Sequence, residues 1–305
     1  MNKTCLLFSG QGSQYQGMGK EILSLFPDLE FIYTRGSEIL GFDLKTTCFE
    51  ASAEDLAKTE ISQPAIFATA LLCYEAVKKL GITPDAVAGH SLGEYAAMVA
   101  AGILSLEDGF QVIKARAKAM GDCAKGQDGA MCAVLGLSAE EIAAVCESVE
   151  GYVIPVNFNS PAQTVIAGER EAVDKAIEKF TEMGKRTMKL AVSAAFHSKL
   201  MQSGADAFYD AIKDVAFHEP TVPFYSNVTG AQLTDFSDMP TYLKTHLVSP
   251  VQFVKELNAI QETGVDRFIE CGPNKVLAGL VKKTLTDVTI FNVENEKTFS
   301  KLKGE

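Results

Sequence analysis

Short apolar runs alternate along the chain with longer stretches in which apolar residues recur every three or four positions. That alternation predicts an α/β protein, with a parallel sheet flanked by helices. Strands are predicted at 4–8, 86–89, 223–226, 266–270 and 289–293. Helices are predicted at 18–26, 28–40, 63–80, 92–101, 105–123, 199–213, 250–263 and 274–285. Ser62 followed by Pro64 predicts the start of the third helix, because proline is tolerated in a first turn. The charged tail after 295 is expected to fray or to form one short helix.

The rhythm changes between about 127 and 193. The order there is strand (130–136), helix (139–149), strand (152–157), strand (163–167), helix (170–183), strand (186–191). This βαββαβ order is that of a ferredoxin-like unit. The expected organisation is a large lobe from 1–126 and 194–305, with a small lobe, 127–193, inserted into it. No internal repeat or low-complexity run is evident.

One junction carries chemistry. Asp85-Ala86-Val87-Ala88 reads as a buried strand and Glu94 to Ala101 as a helix, and between them stands Gly89-His90-Ser91-Leu92-Gly93. A serine on a strand-to-helix turn, with glycine two residues to either side, is the nucleophile-elbow pattern. The turn is strained, and only glycine lets the neighbouring backbones approach closely enough. Such a turn lifts the hydroxyl clear of the sheet and aims backbone N–H groups at an oxyanion beside it.

Composition narrows the classes. The 305 residues are 47% hydrophobic and 22% charged, with a net charge of −11. This is a globular composition, and the negative charge argues against a nucleic-acid or anionic-membrane binder. No apolar stretch approaches the ~20 residues of a membrane span. Lys3 with Cys5-Leu6-Leu7-Phe8 is too short for a signal peptide. Seven scattered cysteines with no CxxC spacing read as buried reduced thiols of a cytoplasmic protein.

A serine nucleophile needs a base. Of the four histidines, His90 adjoins Ser91 and would diverge from it, His218 sits in a charged stretch, and His246 ends a short helix before Pro250. His197 follows Ala194-Ala195-Phe196 where the chain leaves the small lobe, and elimination favours it. Gly10-Gln11-Gly12-Ser13-Gln14 after the first strand lacks the GxGxxG spacing and the Walker lysine. It is either an ordinary turn or the source of a second oxyanion N–H. Arg116 lies on a mostly apolar helix face, where it is either solvated or buried against an anion.

Taken together, Gly10–Gln14, Gly89–Tyr95, Arg116, Phe196-His197-Ser198 and Glu270-Cys271-Gly272-Pro273 resemble malonyl-CoA:acyl-carrier-protein transacylases of fatty-acid synthesis. Polyketide-synthase acyltransferases share the pattern. The resemblance covers essentially the whole chain and implies an α/β-hydrolase-like large lobe beside the ferredoxin-like small one. It implies Ser91 as nucleophile, His197 as base, and the backbone N–H groups of Gln11 and Leu92 as the oxyanion hole. It implies Arg116 as the clamp on the malonyl carboxylate, Gln63 lining the site, and the Gln252 carbonyl orienting the histidine. Leu92 and Phe196 resemble the malonyl-selective variants, with the phenylalanine filling the room an α-methyl needs. Ala195 departs from the proline common in the family and is expected to loosen the loop that holds His197.

The implied chemistry is ping-pong transfer of malonyl from coenzyme A to the carrier's pantetheine thiol, with no metal or redox cofactor. The expected partners are malonyl-CoA and an acidic carrier protein acting on a monomer. Lys185, Arg186, Lys189 and Lys199 are the candidate carrier-docking residues, with Lys282 and Lys283 held as a second pair. Three alternatives share parts of the pattern: a serine thioesterase or esterase, a trans-acting polyketide acyltransferase, and a non-catalytic carrier-binding module.

Overall fold

Cys5, Leu6, Leu7 and Phe8 are all fully buried, which marks β1 (Lys3–Phe8) as an interior strand of a sheet covered on both faces. The computed structural model describes residues 3–192 and 194–304. After β1 come five helices: α1 (Lys20–Leu25), α2 (Phe31–Leu40), α3 (Leu44–Glu50), α4 (Ala53–Ala57) and α5 (Thr59–Lys78). β2 (Ala86–Gly89), α6 (Gly93–Ala100) and α7 (Leu106–Lys125) come next. The chain then forms β3 (Gly129–Leu135), α8 (Ala139–Glu147), β4 (Val153–Ser160), β5 (Gln163–Glu169), α9 (Arg170–Glu182) and β6 (Arg186–Lys189). It returns through α10 (Gln202–Ile212), β7 (Tyr225–Ser226), β8 (Ala231–Gln232), α11 (Met239–Val248) and α12 (Phe253–Glu262). The last elements are β9 (Val265–Cys271), α13 (Val276–Thr284), β10 (Thr289–Val293) and α14 (Glu296–Lys303).

Two main sheets result. One is parallel, in the order β10-β9-β1-β2, and the other is antiparallel, in the order β4-β5-β3-β6. Side chains alternate across the parallel sheet. Leu6, Phe8 and Val87 enter one hydrophobic cluster with α5, α6 and α7, whereas Cys5, Leu7, Ala86 and Ala88 enter another with α12 and α13. Met131, Ala133, Val156, Val165 and Ala167 bring one face of the antiparallel sheet into the first cluster. Its other face packs on α8 and α9. The two sheets are also joined by backbone. Val251 N–H donates to Val156 O at 2.7 Å, and Phe158 N–H donates to Val251 O at 2.9 Å.

Several expectations change at the residue level. The strand expected at 223–226 contracts to β7, which pairs with β8, while Phe224 makes a single parallel bridge to Val87. The third helix starts at Thr59, so Pro64 lies inside it instead of in its first turn. The two helices α3 and α4 have no counterpart among the predicted elements. Asp43 and Ser52 cap them, accepting the N–H groups of Thr46 and Asp55. The segment 18–26 forms helix only over α1, and the tail forms α14 with an Asn295–Thr298 capping box.

The ends of β1 and β2 are locked together. Their register sets Phe8 opposite Gly89. A Cβ on Gly93 would lie 1.9 Å from the carbonyl oxygen of Phe8, and one on Gly89 would lie 2.1 Å from the Gly93 carbonyl carbon. Helix α6 therefore starts in backbone contact with β1. Gly93→Ala is expected to destabilise the protein by about 3 kcal/mol or more, because the obstacle is main chain and cannot rotate away. Urea unfolding checks this, and a loss under about 1 kcal/mol would show that the junction relaxes.

Candidate active site

The carboxyl ends of β1 and β2 deliver two loops to one side of the sheet, where open α/β folds place ligands. The loop after β2 is the elbow. Ser91 has φ 52°, in the left-handed region, and its Oγ stands 2.7 Å from Nε2 of His197. His197 also has positive φ, 62°, and is 3% exposed. Its Nδ1 lies 3.2 Å from the His246 carbonyl and 3.1 Å from that of Ser249. Two acceptors at Nδ1 assign the proton to that nitrogen, so Nε2 is left to accept from the serine. Burial, then the Arg116 charge, then His90 push the His197 pKa down to about 3, so the ring is neutral near neutral pH.

Arg116 comes from the middle of α7 and is 1% exposed. Its Nη2 donates to Ser91 Oγ at 3.1 Å, and its guanidinium carbon lies 5.0 Å from the Tyr95 ring centre. Among the described residues it has no carboxylate within ion-pair distance, and its buried Nε has no acceptor. Gln63 is fully buried on α5. Its Nε2 meets only the sulfur of Met120, at 3.4 Å, and its Oε1 is unpartnered. A buried positive charge without a counter-ion is costly. A buried cation of this kind next to a serine–histidine pair is the arrangement that suits an anionic ligand.

Gln11, Ser91, Met120, Phe196 and His197 line one cavity of about 250 Å³, with Asn157 and Leu190 on its small-sheet side. Among the described residues the backbone N–H groups of Gln11 and Leu92 have no acceptor. The Ser91 N–H is already taken, donating to Asn227 Oδ1 at 2.6 Å.

Of the residues singled out in the sequence, Ser91, His197, Gln11 and Phe196 line this cavity, Arg116 reaches the Ser91 hydroxyl beside it, Leu92 follows the serine on the elbow, and Gln63 packs on Met120, which lines it. Gln252 does not join them. It stands three residues beyond Ser249, and its carbonyl accepts the N–H of Glu256 as α12 begins. The carbonyls on His197 are those of His246 and Ser249, a correction to the expected contact. The step from Ser249 to Gln252 passes through Pro250 and the Val251 bridge to β4, which faces Gln252 away from the ring.

Ala195 is fully buried. A Cβ on Gly129 would strike its amide nitrogen at 2.7 Å, and Ser198 Oγ donates to its carbonyl at 2.6 Å. This segment is braced without the family proline. The expected basic residues each hold a local contact, Arg186 excepted. Lys189 pairs with Asp174 at 2.7 Å, Lys185 donates to the Gly136 carbonyl at 3.3 Å, and Lys199 lies 4.2 Å from the Tyr152 ring centre. Arg186 is exposed on β6. Lys282 and Lys283 lie in the last turn of α13, which runs back from the carboxyl end of β9. They therefore stand at the opposite edge of the sheet from Ser91.

Sequence reading missed four groups behind the elbow: Asn227, Glu94 and Glu256, all fully buried, and the partly buried Tyr242. Tyr242 donates to both Glu94 oxygens at 3.1 Å, and Asn227 Nδ2 donates to Glu256 Oε2 at 2.7 Å. Burial pushes the Glu94 carboxyl up to about 8 and Glu256 well above its ordinary value. The carboxylates inside apolar helical patterns were the available signal.

Residues 5–303 match the Acyl transferase domain family. The chain is 39% identical to the malonyl CoA-acyl carrier protein transacylase of Bacillus subtilis (strain 168), over 98% of this chain and 95% of that protein. It superposes on the crystal structure of malonyl CoA-acyl carrier protein transacylase from Clostridium perfringens with a TM-score of 0.95 at 38% identity, covering 99% and 96% of the two chains. It also superposes on a malonyl-transacylase solved in complex with its type II PKS acyl-carrier protein, with a TM-score of 0.94 at 33% identity and 99% coverage of both chains. With a serine–histidine pair at the carboxyl edge of the sheet and identity of this order over the full length, the chain is an acyltransferase and belongs to the malonyl CoA-acyl carrier protein transacylase family.

Proposed function

We propose that the protein transfers malonyl from malonyl-CoA to the phosphopantetheine thiol of an acyl carrier protein, supplying fatty-acid chain extension. The observation that carries this reading is the buried, unpaired Arg116 guanidinium at 3.1 Å from the Ser91 hydroxyl. A neutral acyl group would leave that charge uncompensated, and a malonyl carboxylate supplies its counter-ion as a bidentate partner. A simple esterase has no use for it. The Gln63 amide, unpartnered at Oε1, is the second polar wall. Phe196 narrows the cavity against a branched acyl chain.

The reaction runs in two halves. His197 Nε2 takes the Ser91 proton as Oγ attacks the thioester carbonyl. The oxyanion rests on the Gln11 and Leu92 N–H groups. Collapse expels coenzyme A as the thiol, protonated by His197, and leaves a malonyl-serine ester. The carrier thiol then repeats the attack with His197 as base. The carbonyls of His246 and Ser249 hold the imidazole in the required tautomer in place of an acid. The chemistry calls for no metal or redox cofactor.

The lobes are divided as 1–126 with 194–305, α/β-hydrolase-like, and 127–193, ferredoxin-like. Support comes from the parallel sheet that carries the elbow and from the β4-β5-β3-β6 order of the small sheet. The protein acts as a cytoplasmic monomer. In favour of that compartment, all seven cysteines are free thiols. Among the described residues no helix is long and apolar enough to cross a membrane.

Intact mass after mixing with malonyl-CoA tests the intermediate. The wild-type protein gains one malonyl group and Ser91→Ala gains none, whereas an adduct on Ser91→Ala overturns the assignment. The pH dependence of acylation is set by His197. A base must be neutral, and a pKa lowered to about 3 keeps it neutral well below the ordinary histidine value. The acylation rate should therefore hold nearly constant from about pH 8 down to about pH 5.5. A limb that halves the rate near pH 6.5 would show an ordinary, solvated imidazole.

Arg116→Ala removes a charge-assisted contact of roughly 1.5–3 kcal/mol. Malonyl-CoA turnover should fall by one to two orders of magnitude while acetyl-CoA turnover holds or rises, with Arg116→Lys recovering part of the loss. An unchanged malonyl-to-acetyl ratio would make the arginine structural.

Carrier docking is assigned to the edge that leads from β6 toward Leu190 and His197. Reversing the charge of Lys185, Arg186 and Lys199 should raise the KM for an acidic carrier and flatten its salt dependence, with a smaller effect on malonyl-CoA. Unchanged carrier kinetics would place the docking surface elsewhere.

A further inference from the structure

We propose that Asn227 is a positioning residue for the nucleophile: its carboxamide bridges the two sides of the elbow and holds Ser91 in the conformation that meets His197. The inference rests on Ser91 being the nucleophile. Asn227 is fully buried and lies directly after β7. Its Oδ1 accepts the Ser91 N–H at 2.6 Å, and its Nδ2 donates to the Gly89 carbonyl at 2.7 Å and to Glu256 Oε2 at 2.7 Å. The amide orientation is fixed by its surroundings. Turned over, it would set a donor against the Ser91 N–H and an acceptor against two oxygens.

One side chain thus replaces, from outside, the local pairing that a strained turn lacks. Residues 89 and 91 flank the point where the chain turns from β2 into α6, and Ser91 is held at positive φ, which non-glycine residues rarely adopt. The Asn227 backbone extends the clamp. Its N–H donates to Glu94 Oε1 in the first turn of α6, and its carbonyl accepts the Gln252 N–H at 2.8 Å, three residues beyond the Ser249 carbonyl on His197. Asn227 therefore touches the supports of both the nucleophile and the base while standing outside the reaction cavity.

The test uses a serine-directed alkyl fluorophosphonate, which bonds phosphorus to Ser91 Oγ and releases fluoride. Wild type should label and Ser91→Ala should not. Labelling of Ser91→Ala, or none of wild type, overturns the nucleophile reading and is distinguishable from any result on the Asn227 variants. Asn227→Ala should label about 10- to 100-fold more slowly at saturating probe, with probe affinity changed less than about twofold, because the hydroxyl is misplaced while the cavity is kept. Asn227→Asp keeps the acceptor for Ser91 but sets an oxygen against Gly89 and Glu256.

Glu94 from α6 and Glu256 from α12 bond to Asn227, and around those two carboxyls stand Tyr242 and His246 from α11, Arg116 from α7 and Cys5 from β1. A third carboxylate there should be inhibitory when ionised and should regain a donor when protonated. Asn227→Asp labelling should accordingly rise at least about fivefold from pH 8 to pH 5.5 while wild type stays flat. Wild-type labelling rates in folded Asn227→Ala, or a pH profile of Asn227→Asp matching wild type, would overturn the proposal. If the variants do not fold, NMR of the wild-type protein decides. The Asn227 carboxamide protons should exchange slowly and shift on phosphonylation of Ser91, and solvent-rate exchange or unmoved shifts would overturn the proposal equally.

Discussion

The backbone contact between Gly93 and the carbonyl end of β1 sets where everything else in the site stands. Because Phe8 and Gly93 approach main chain to main chain, the first turn of α6 is seated directly against the end of β1. That brings the Leu92 N–H and the Gln11 N–H to the same side of the sheet without either being claimed by another acceptor. An oxyanion site made of main-chain groups needs such a constraint, since its donors have no side-chain freedom with which to adjust. The glycines are thus a geometric requirement of the chemistry as much as of the packing.

The same constraint explains the unusual number of buried polar groups behind the elbow. A serine at positive φ and a histidine at positive φ lie on two different loops, and each needs its backbone held from elsewhere. Ser91 is held through Asn227, and His197 through the carbonyls of the 246–249 segment and through Ser198. The holding segments are themselves linked, because Val251 bonds to β4 and Gln252 bonds to Asn227. The small sheet is therefore more than one wall of the cavity. Its strand β4 is bonded to the segment whose carbonyls meet the His197 ring.

Much of this was legible in the sequence where local rules act alone. The elbow was readable because glycine spacing encodes a steric need, and the βαββαβ order was readable because each small-lobe element carries its own period. Legibility failed where partners are remote. The two-residue β7 reads as a full strand because 223–226 is largely apolar, but apolarity does not reveal that the pairing with β2 stops at the Phe224–Val87 bridge, with the Pro223 carbonyl accepting the Val87 N–H. Pro64 suggests a helix start that tertiary packing of α5 overrides, since Ser62 and Gln63 are fully buried within it. Arg116 could be placed on an apolar face, yet its lack of a counter-ion depends on what surrounds it in space. Asn227 lies 136 residues from Ser91 and carries no local pattern at all.

The electrostatics of the site derive from the same unpaired charge. Burial, Arg116 and His90 act together on His197, all disfavouring the imidazolium and holding its pKa down to about 3. A base that weak is safely neutral but a poor acceptor of the serine proton. On the proposed function, an anion seated on Arg116 cancels the second of these causes and leaves burial and His90. Under that proposal the basicity of His197 rises when a carboxylate-bearing acyl group binds, by the same interaction that would fix the group's position. Selectivity and activation are in this way two consequences of one contact. A neutral acyl chain fails to compensate the guanidinium and also leaves the base at its weakest, whereas a carboxylate corrects both. In the proposed reaction, the charge that an acidic third member would supply beside the histidine arrives with the acyl group.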